Sequence, residues 1–314
     1  MPRFLNRASL PEPFTTSVSS PSLKLIRLEL SPIHMVLKVP LGIAREAYNK
    51  MLGEFPVARG FTFNEIEIEG VKAEYGQPPE AIPGRVVLFL HGGGYVLGCA
   101  KSYRAIASEV AARLKSAVLI PDYRLAPEHP FPAALEDASK SYRWLLAKGY
   151  APEGIVVVGD SAGGGLTLCM LQALREVGIA MPAAAAVMSP WTDLELTGQT
   201  MTSKAGVDEM LTPEALGKMA RSYLENTPSR WPTASPLYGD LRGFPPLLIQ
   251  VGSEEILLED SVRLAGLAGA AQVQVRLSIW PGMFHIFQVF SSRLDTAREA
   301  LDEMGKFLSA RLKK

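Results

Sequence analysis

The sequence predicts an α/β fold, in which a mostly parallel β-sheet is covered by helices on both faces. Three observations carry that expectation. The runs 86–90, 117–120 and 155–158 are apolar throughout, as in strands buried on both sides. Amphipathic stretches of helical period lie between them, so strand and helix alternate along the chain. The chain is also long enough, at 314 residues with 47% hydrophobic composition, to bury a large core.

The elements follow in order. Residues 1–20 are rich in Ser, Thr and Pro and read as a poorly ordered lead-in. Met35, Val36, Val39, Ile43, Ala47, Tyr48, Met51 and Leu52 form helical stripes, interrupted near Pro40-Leu41-Gly42. Partial alternation of Phe61, Phe63, Ile66, Ile68 and Val71 suggests strands at a sheet edge. Helices are expected over 102–114 (Ile106, Val110, Leu114) and 133–147 (Leu135, Ala138, Tyr142, Leu145). Beyond Ser161, a stripe from Leu166 to Val177 ends at Gly178, a natural helix C-cap. A strand at 184–188 precedes an irregular stretch, 195–241, with helical character at 213–224 and turn-forming Pro228, Pro232 and Pro236. That stretch is either a decorated loop or an inserted helical lid. A strand at 247–251, a helix at 258–268, a strand at 273–277 and an amphipathic helix at 294–312 complete the chain.

Composition narrows the function classes. The 32 Lys and Arg balance the 32 Asp and Glu, so no net field favours nucleic acid or an anionic membrane. Two cysteines, Cys99 and Cys169, are too few for a disulfide scaffold. The N-terminus lacks the apolar core of a secretory signal, and the apolar run 180–190 is far too short to span a bilayer. A soluble, cytoplasmic protein with no stable membrane insertion is the expectation.

Gly159-Asp160-Ser161-Ala162-Gly163 is the sharpest motif. It follows a buried strand and opens an amphipathic helix, where a tight turn holds a serine hydroxyl clear of the sheet. Small neighbours tolerate the strained angles, and the first helical amides face developing negative charge. A dinucleotide fingerprint does not fit, because Gly163, Gly164 and Gly165 fall within the helix. His91-Gly92-Gly93-Gly94 follows another buried strand. The amides of Gly92 and Gly93, joined by that of Ala162, are expected to form an oxyanion hole. His91 is read as holding this loop, and no histidine forms a metal-ligand pattern with it.

A serine hydroxyl needs an imidazole to take its proton and an acid to fix the imidazole. On scaffolds with this turn they follow in the order serine, acid, histidine. His285 is the only histidine downstream of Ser161, so it is the candidate base. Glu254, Glu255, Glu259 and Asp260, after the strand 247–251, are the candidate acids; Glu255 is preferred and Glu254 is next.

These residues give the sequence a resemblance to the bacterial hormone-sensitive-lipase-like esterases of the α/β-hydrolase superfamily. The matching pieces are His91-Gly92-Gly93-Gly94, Gly159-Asp160-Ser161-Ala162-Gly163, the block from Asp122 to Ala134, Ser189-Pro190-Trp191-Thr192-Asp193-Leu194 and Pro281-Gly282-Met283-Phe284-His285. The resemblance implies an eight-stranded catalytic domain formed by 56–194 and 241–314, with a helical lid from 1–55 and 195–240. It implies hydrolysis of small-molecule carboxylic esters of short or medium acyl chain, without a cofactor, and homodimers formed by pairing sheet edges. The family's acid lies in an Asp-Pro-Leu-x-Asp pattern; here Glu255-Ile256-Leu257-Leu258-Glu259 stands in its place, which implies a glutamate at the acid position. An amidase, deacetylase or thioesterase would use the same machinery. A binding protein on a disabled scaffold predicts damage to the serine, base or oxyanion loop. A lipase acting at a membrane surface would require 33–55 to form an exposed apolar lid.

Overall fold

The computed structural model describes residues 21–30 and 39–313. The expected lead-in and the stripe residues Met35 and Val36 lie outside the described residues. The chain forms α1 (Pro21–Leu30), α2 (Leu41–Gly53), β1 (Thr62–Ile68), β2 (Val71–Gln77), β3 (Val86–Leu90), α3 (Arg104–Leu114) and β4 (Ala117–Pro121). It continues through α4 (Ala133–Ala147), β5 (Ile155–Asp160), α5 (Ser161–Glu176), β6 (Ala184–Met188), α6 (Thr200–Ser203) and α7 (Pro213–Leu224). The last elements are β7 (Leu247–Gly252), α8 (Leu258–Ala270), β8 (Val275–Trp280) and α9 (Asp295–Ser309).

All eight strands join one sheet in the order β1-β2-β4-β3-β5-β6-β7-β8. β1 and β2 pair antiparallel, as do β2 and β4, while the remaining neighbours are parallel. Every residue of β3 to β7 is buried, which explains why those runs lack polar alternation. Burial of each Val, Leu or Ile side chain stabilises the sheet by about 1.5–3 kcal/mol. The alternating segment 60–76 becomes the antiparallel ribbon β1-β2, with β1 at the sheet edge.

Pairing register positions the site. Leu90 lies opposite Gly159 and Met188 opposite Asp160, while Met188 also faces Gln250 and Gly252 faces Trp280. The carboxyl ends of β3, β5, β6, β7 and β8 therefore open onto one rim, where open α/β sheets bind ligands.

Helix α7, in the irregular stretch, has local causes. Thr212 caps it by accepting from the Ala215 amide at 3.2 Å, and Pro213 starts it. Leu216, Met219, Ala220 and Tyr223 form its buried stripe, with Tyr223 stacked on Tyr95 at 3.8 Å.

Some expected elements differ from those observed. The last strand starts at Val275 rather than Val273, because the Val273 amide donates to Ala268 in the turn closing α8. It runs on to Trp280 through its pairing with Gly252. In α2 the buried face is Ala44, Tyr48 and Leu52, whereas Ile43 is exposed. Cys99 and Cys169 are unpaired, with Cys169 buried on α5. Among the described residues no helix is long and apolar enough to cross a membrane.

Candidate active site

Strand β5 delivers Ser161 to the rim on a sharp turn, where its φ of 51° lies in the left-handed region. That turn requires close approach of two backbones. A Cβ at Gly163 would lie 2.0 Å from the Leu90 carbonyl oxygen and 2.4 Å from that of His91. The sequence meets this with a glycine, and α5 begins hard against the end of β3.

Ser161 and His285 line the same cavity of about 50 Å³. Tyr48, Leu97, Met210, Leu211, Leu216, Met219 and Ile286 supply most of the remaining wall, with Gly93 and Gly94. His285 lies in the loop after β8, and its Nδ1 is 2.8 Å from Glu255 Oε2. The carboxylate accepts, so Nδ1 carries the proton and Nε2 of the neutral ring is an acceptor. Glu255 is fully buried. Its Oε1 accepts from the Gly252 amide at 2.5 Å and the Ser189 hydroxyl at 2.8 Å. Ser189 Oγ in turn accepts from the Ile286 amide at 3.1 Å, so one hydroxyl spans the acid and the residue after the base. Burial alone would lower the His285 pKa, but the hydrogen bond and charge of Glu255, aided by Asp208 and Asp160, outweigh it and hold the pKa above its ordinary value.

The other candidate acids are committed elsewhere. Glu254 binds Arg27 on α1, and Glu259 accepts from the amides of Gln199 and Thr200. Asp260 accepts from the Thr192 amide at 2.8 Å and the Asp193 amide at 2.9 Å. Among the four, Glu255 is the carboxylate bonded to His285.

The glycine loop requires a correction. The Gly92 amide, expected as an oxyanion donor, donates instead to Asp160 Oδ1 at 2.9 Å, and Gly92 is absent from the cavity wall. The chain then turns through Gly93, at φ 106°, so that Gly93 and Gly94 reach the cavity. Among the described residues no hydrogen bond takes the Gly93 or Gly94 amide. Ala162, the third expected donor, is buried at the start of α5. His91 fixes the loop, as expected. Its Nδ1 donates to the Gly92 carbonyl at 2.8 Å, its carbonyl accepts from the Tyr123 hydroxyl at 2.7 Å, and its ring stacks on Tyr123 at 4.2 Å.

Sequence reasoning missed Ser189, Tyr103 and Tyr48. Tyr103 donates to Asp160 Oδ2 at 3.2 Å and shares a hydrogen bond of 2.8 Å with Tyr48. Asp160 is thus held on both oxygens. Burial raises its pKa to about 7 against the opposing pull of His285, the Gly92 amide and Tyr103. The Ser189-Pro190 segment following a strand was visible in the sequence, but only the fold brings it against Glu255.

Known proteins share this fold. A family model described as the alpha/beta hydrolase fold matches residues 87–289. The chain is 40% identical to an acetyl-hydrolase of Streptomyces hygroscopicus, over 93% of this chain and 97% of that protein. It is 34% identical to an esterase of Acinetobacter venetianus, over 86% and 90% of the two chains. The crystal structure of an esterase from the bacterial hormone-sensitive lipase family superposes with a TM-score of 0.90 at 40% identity, covering 94% of this chain and 99% of that one. With a serine, a paired histidine and a glycine loop on one rim of this sheet, the chain belongs to the bacterial hormone-sensitive-lipase-like esterase family of the α/β-hydrolase superfamily, and with that family to the carboxylesterases.

Proposed function

We propose that the protein hydrolyses carboxylic esters of short to medium acyl chain through an acyl-serine at position 161. The observation that carries this reading is the 2.8 Å Nδ1–Glu255 hydrogen bond on a histidine that shares its cavity with Ser161. Ser161 Oγ attacks the ester carbonyl and gives its proton to His285 Nε2. The C–O bond to the alcohol then breaks as the imidazolium returns the proton to the departing oxygen. Water attacks the acyl-serine, again losing its proton to His285, and collapse releases the carboxylic acid and restores the serine. Glu255 holds the ring through Nδ1 and steadies the imidazolium.

The amides of Gly93, Gly94 and Ala162 serve as oxyanion donors, each worth about 3–4 kcal/mol to the transition state. Gly92 braces them through Asp160. Residues of 1–55 and 195–240 act as a cap, since Tyr48, Met210, Leu211, Leu216 and Met219 roof the cavity. Ligand sites are typically ~300–1,000 Å³, so a cavity this small supports short acyl groups and a cap that yields on binding. The half-exposed edge strand β8 suits pairing with a second copy, and light scattering in solution reads that directly.

The decisive test is labelling with a fluorophosphonate. Wild type is expected to label once, at Ser161, and Ser161→Ala not at all; retained labelling of the variant rejects the assignment. A matched set of p-nitrophenyl ester, thioester and anilide substrates then separates esterase from thioesterase and amidase.

A further inference from the structure

We propose that Arg27, on α1, is a positioning residue for the Glu255–His285 pair, holding the acid and base loops in register and fastening them to the cap segment that walls the cavity. This rests on the reading of Ser161, His285 and Glu255 given above. The guanidinium touches three separate stretches of chain. Nη2 donates to Glu254 Oε2 at 2.5 Å and to the Gly282 carbonyl at 2.8 Å, and Nη1 donates to Glu209 Oε1 at 2.9 Å. Glu254 adjoins Glu255, Gly282 begins the turn that ends in His285, and Glu209 adjoins Met210 of the cavity wall.

The same stretches are already tied in pairs. The Glu254 amide donates to Met283 O at 3.0 Å, and the Gly282 amide to Ser253 Oγ at 2.8 Å. Asp208 Oδ2 accepts from the Ile256 amide at 2.9 Å. Arg27 closes these links into a ring from outside. A planar fork can serve three acceptors at once, which a lysine ammonium on a flexible stem cannot do with the same geometry. Leu23 and Ile26 are buried beneath α1, so the helix has an apolar anchor independent of the arginine.

The arrangement is also an electrostatic one. Arg27 is a cation between two carboxylates, Glu209 and Glu254, and Glu254 is next in sequence to Glu255, which with Asp208 and Asp160 acts on His285. Removing it leaves Glu209 and Glu254 uncompensated on the stretches tied to the Glu255 and His285 loops, which favours the imidazolium. Removing the Glu254 charge does the opposite.

The test compares Arg27→Gln, Arg27→Lys and Glu254→Gln on p-nitrophenyl acetate, with melting temperature and fluorophosphonate stoichiometry measured on each. Arg27→Gln is expected to lower kcat about tenfold with KM little changed, since small misplacements of catalytic groups act on the chemical step. The acid limb of its kcat/KM profile should move to higher pH. Arg27→Lys should restore the midpoint through its charge but recover kcat only in part. Glu254→Gln should move the midpoint to lower pH. Full labelling of Arg27→Gln at Ser161 separates lost positioning from an error in the serine assignment, which would show already in wild type. A variant with unchanged kcat and midpoint, altered only in melting temperature, overturns the proposal. Where Arg27→Gln does not fold, an unshifted midpoint in Glu254→Gln overturns it equally.

Discussion

Asp160 and Gly92 are joined by a 2.9 Å hydrogen bond from the amide of the glycine loop to the side chain preceding Ser161. The turn that carries Ser161 thereby also anchors the loop of Gly93 and Gly94. Asp160→Ala leaves the Gly92 amide buried without its acceptor, at about 1–3 kcal/mol, and leaves the Tyr103 hydroxyl with Tyr48 alone. It is expected to lower both melting temperature and kcat. Asp160→Asn keeps an acceptor for Gly92 and should lie close to wild type in kcat. Thermal melts and steady-state kinetics on the two variants check the order.

Buried acids give the stability a direction in pH. Burial raises both Asp160 and Asp260 from 3.8 to about 7. Between those values the folded state binds more protons than the unfolded chain, so stability falls as pH rises through the window. Asp208 and His285, also raised, act with the same sign, the histidine at the upper end. Glu128, lowered from 4.5 to about 2 by its hydrogen bond to Arg45, acts with the opposite sign at the acid end, and buried His91, lowered from 6.5, opposes the decline below that value. Melting temperature is expected to decline from about pH 6.5 to pH 8, where His91 no longer opposes the other groups, with a smaller slope in Asp160→Asn. Calorimetry across that range reads the slope.

In the proposed mechanism activity has the opposite dependence, because His285 must be neutral to take a proton. Its pKa lies above 6.5, so the acid limb of kcat/KM should have its midpoint above that value. Glu255→Gln removes the anion that favours the imidazolium. The midpoint should fall, while kcat drops by about 10³–10⁴-fold as the ring loses its orienting partner. Glu254→Gln retains the His285–Glu255 bond and should lose far less.

Met219 presses on the glycine loop from α7. A Cβ at Gly94 would lie 2.1 Å from its sulfur, and both residues line the cavity. Met219→Ala opens room there, so longer acyl chains should gain. Each additional buried methylene contributes about 0.8 kcal/mol, or about fourfold in kcat/KM. A chain-length series of p-nitrophenyl esters would show an unchanged optimum if Met219 does not bound the acyl group.

The legible parts of the sequence were those governed by local constraint. Strands β3, β4 and β5 could be read because burial on both faces leaves no place for a polar side chain. Ser161 was legible from its turn, and His285 from being the one histidine beyond it. Glu255 was harder to separate from Glu254, because adjacent carboxylates point different ways and one is claimed by Arg27, 227 positions distant. Gly92 was misread for the same kind of reason. Which glycine amide remains free depends on the Asp160 side chain, 68 residues along the chain. Ser189, reaching Glu255 and Ile286 from the end of β6, had no spacing to betray it.

The left-handed φ at Ser161 sets reactivity against robustness. An L-residue in that conformation is disfavoured by about 1–2 kcal/mol, a penalty that glycine escapes. Ser161→Gly should therefore melt higher than Ser161→Ala, which keeps the clash; both lack the hydroxyl. Heat resistance and the proposed acyl-serine chemistry therefore make opposite demands on this one position.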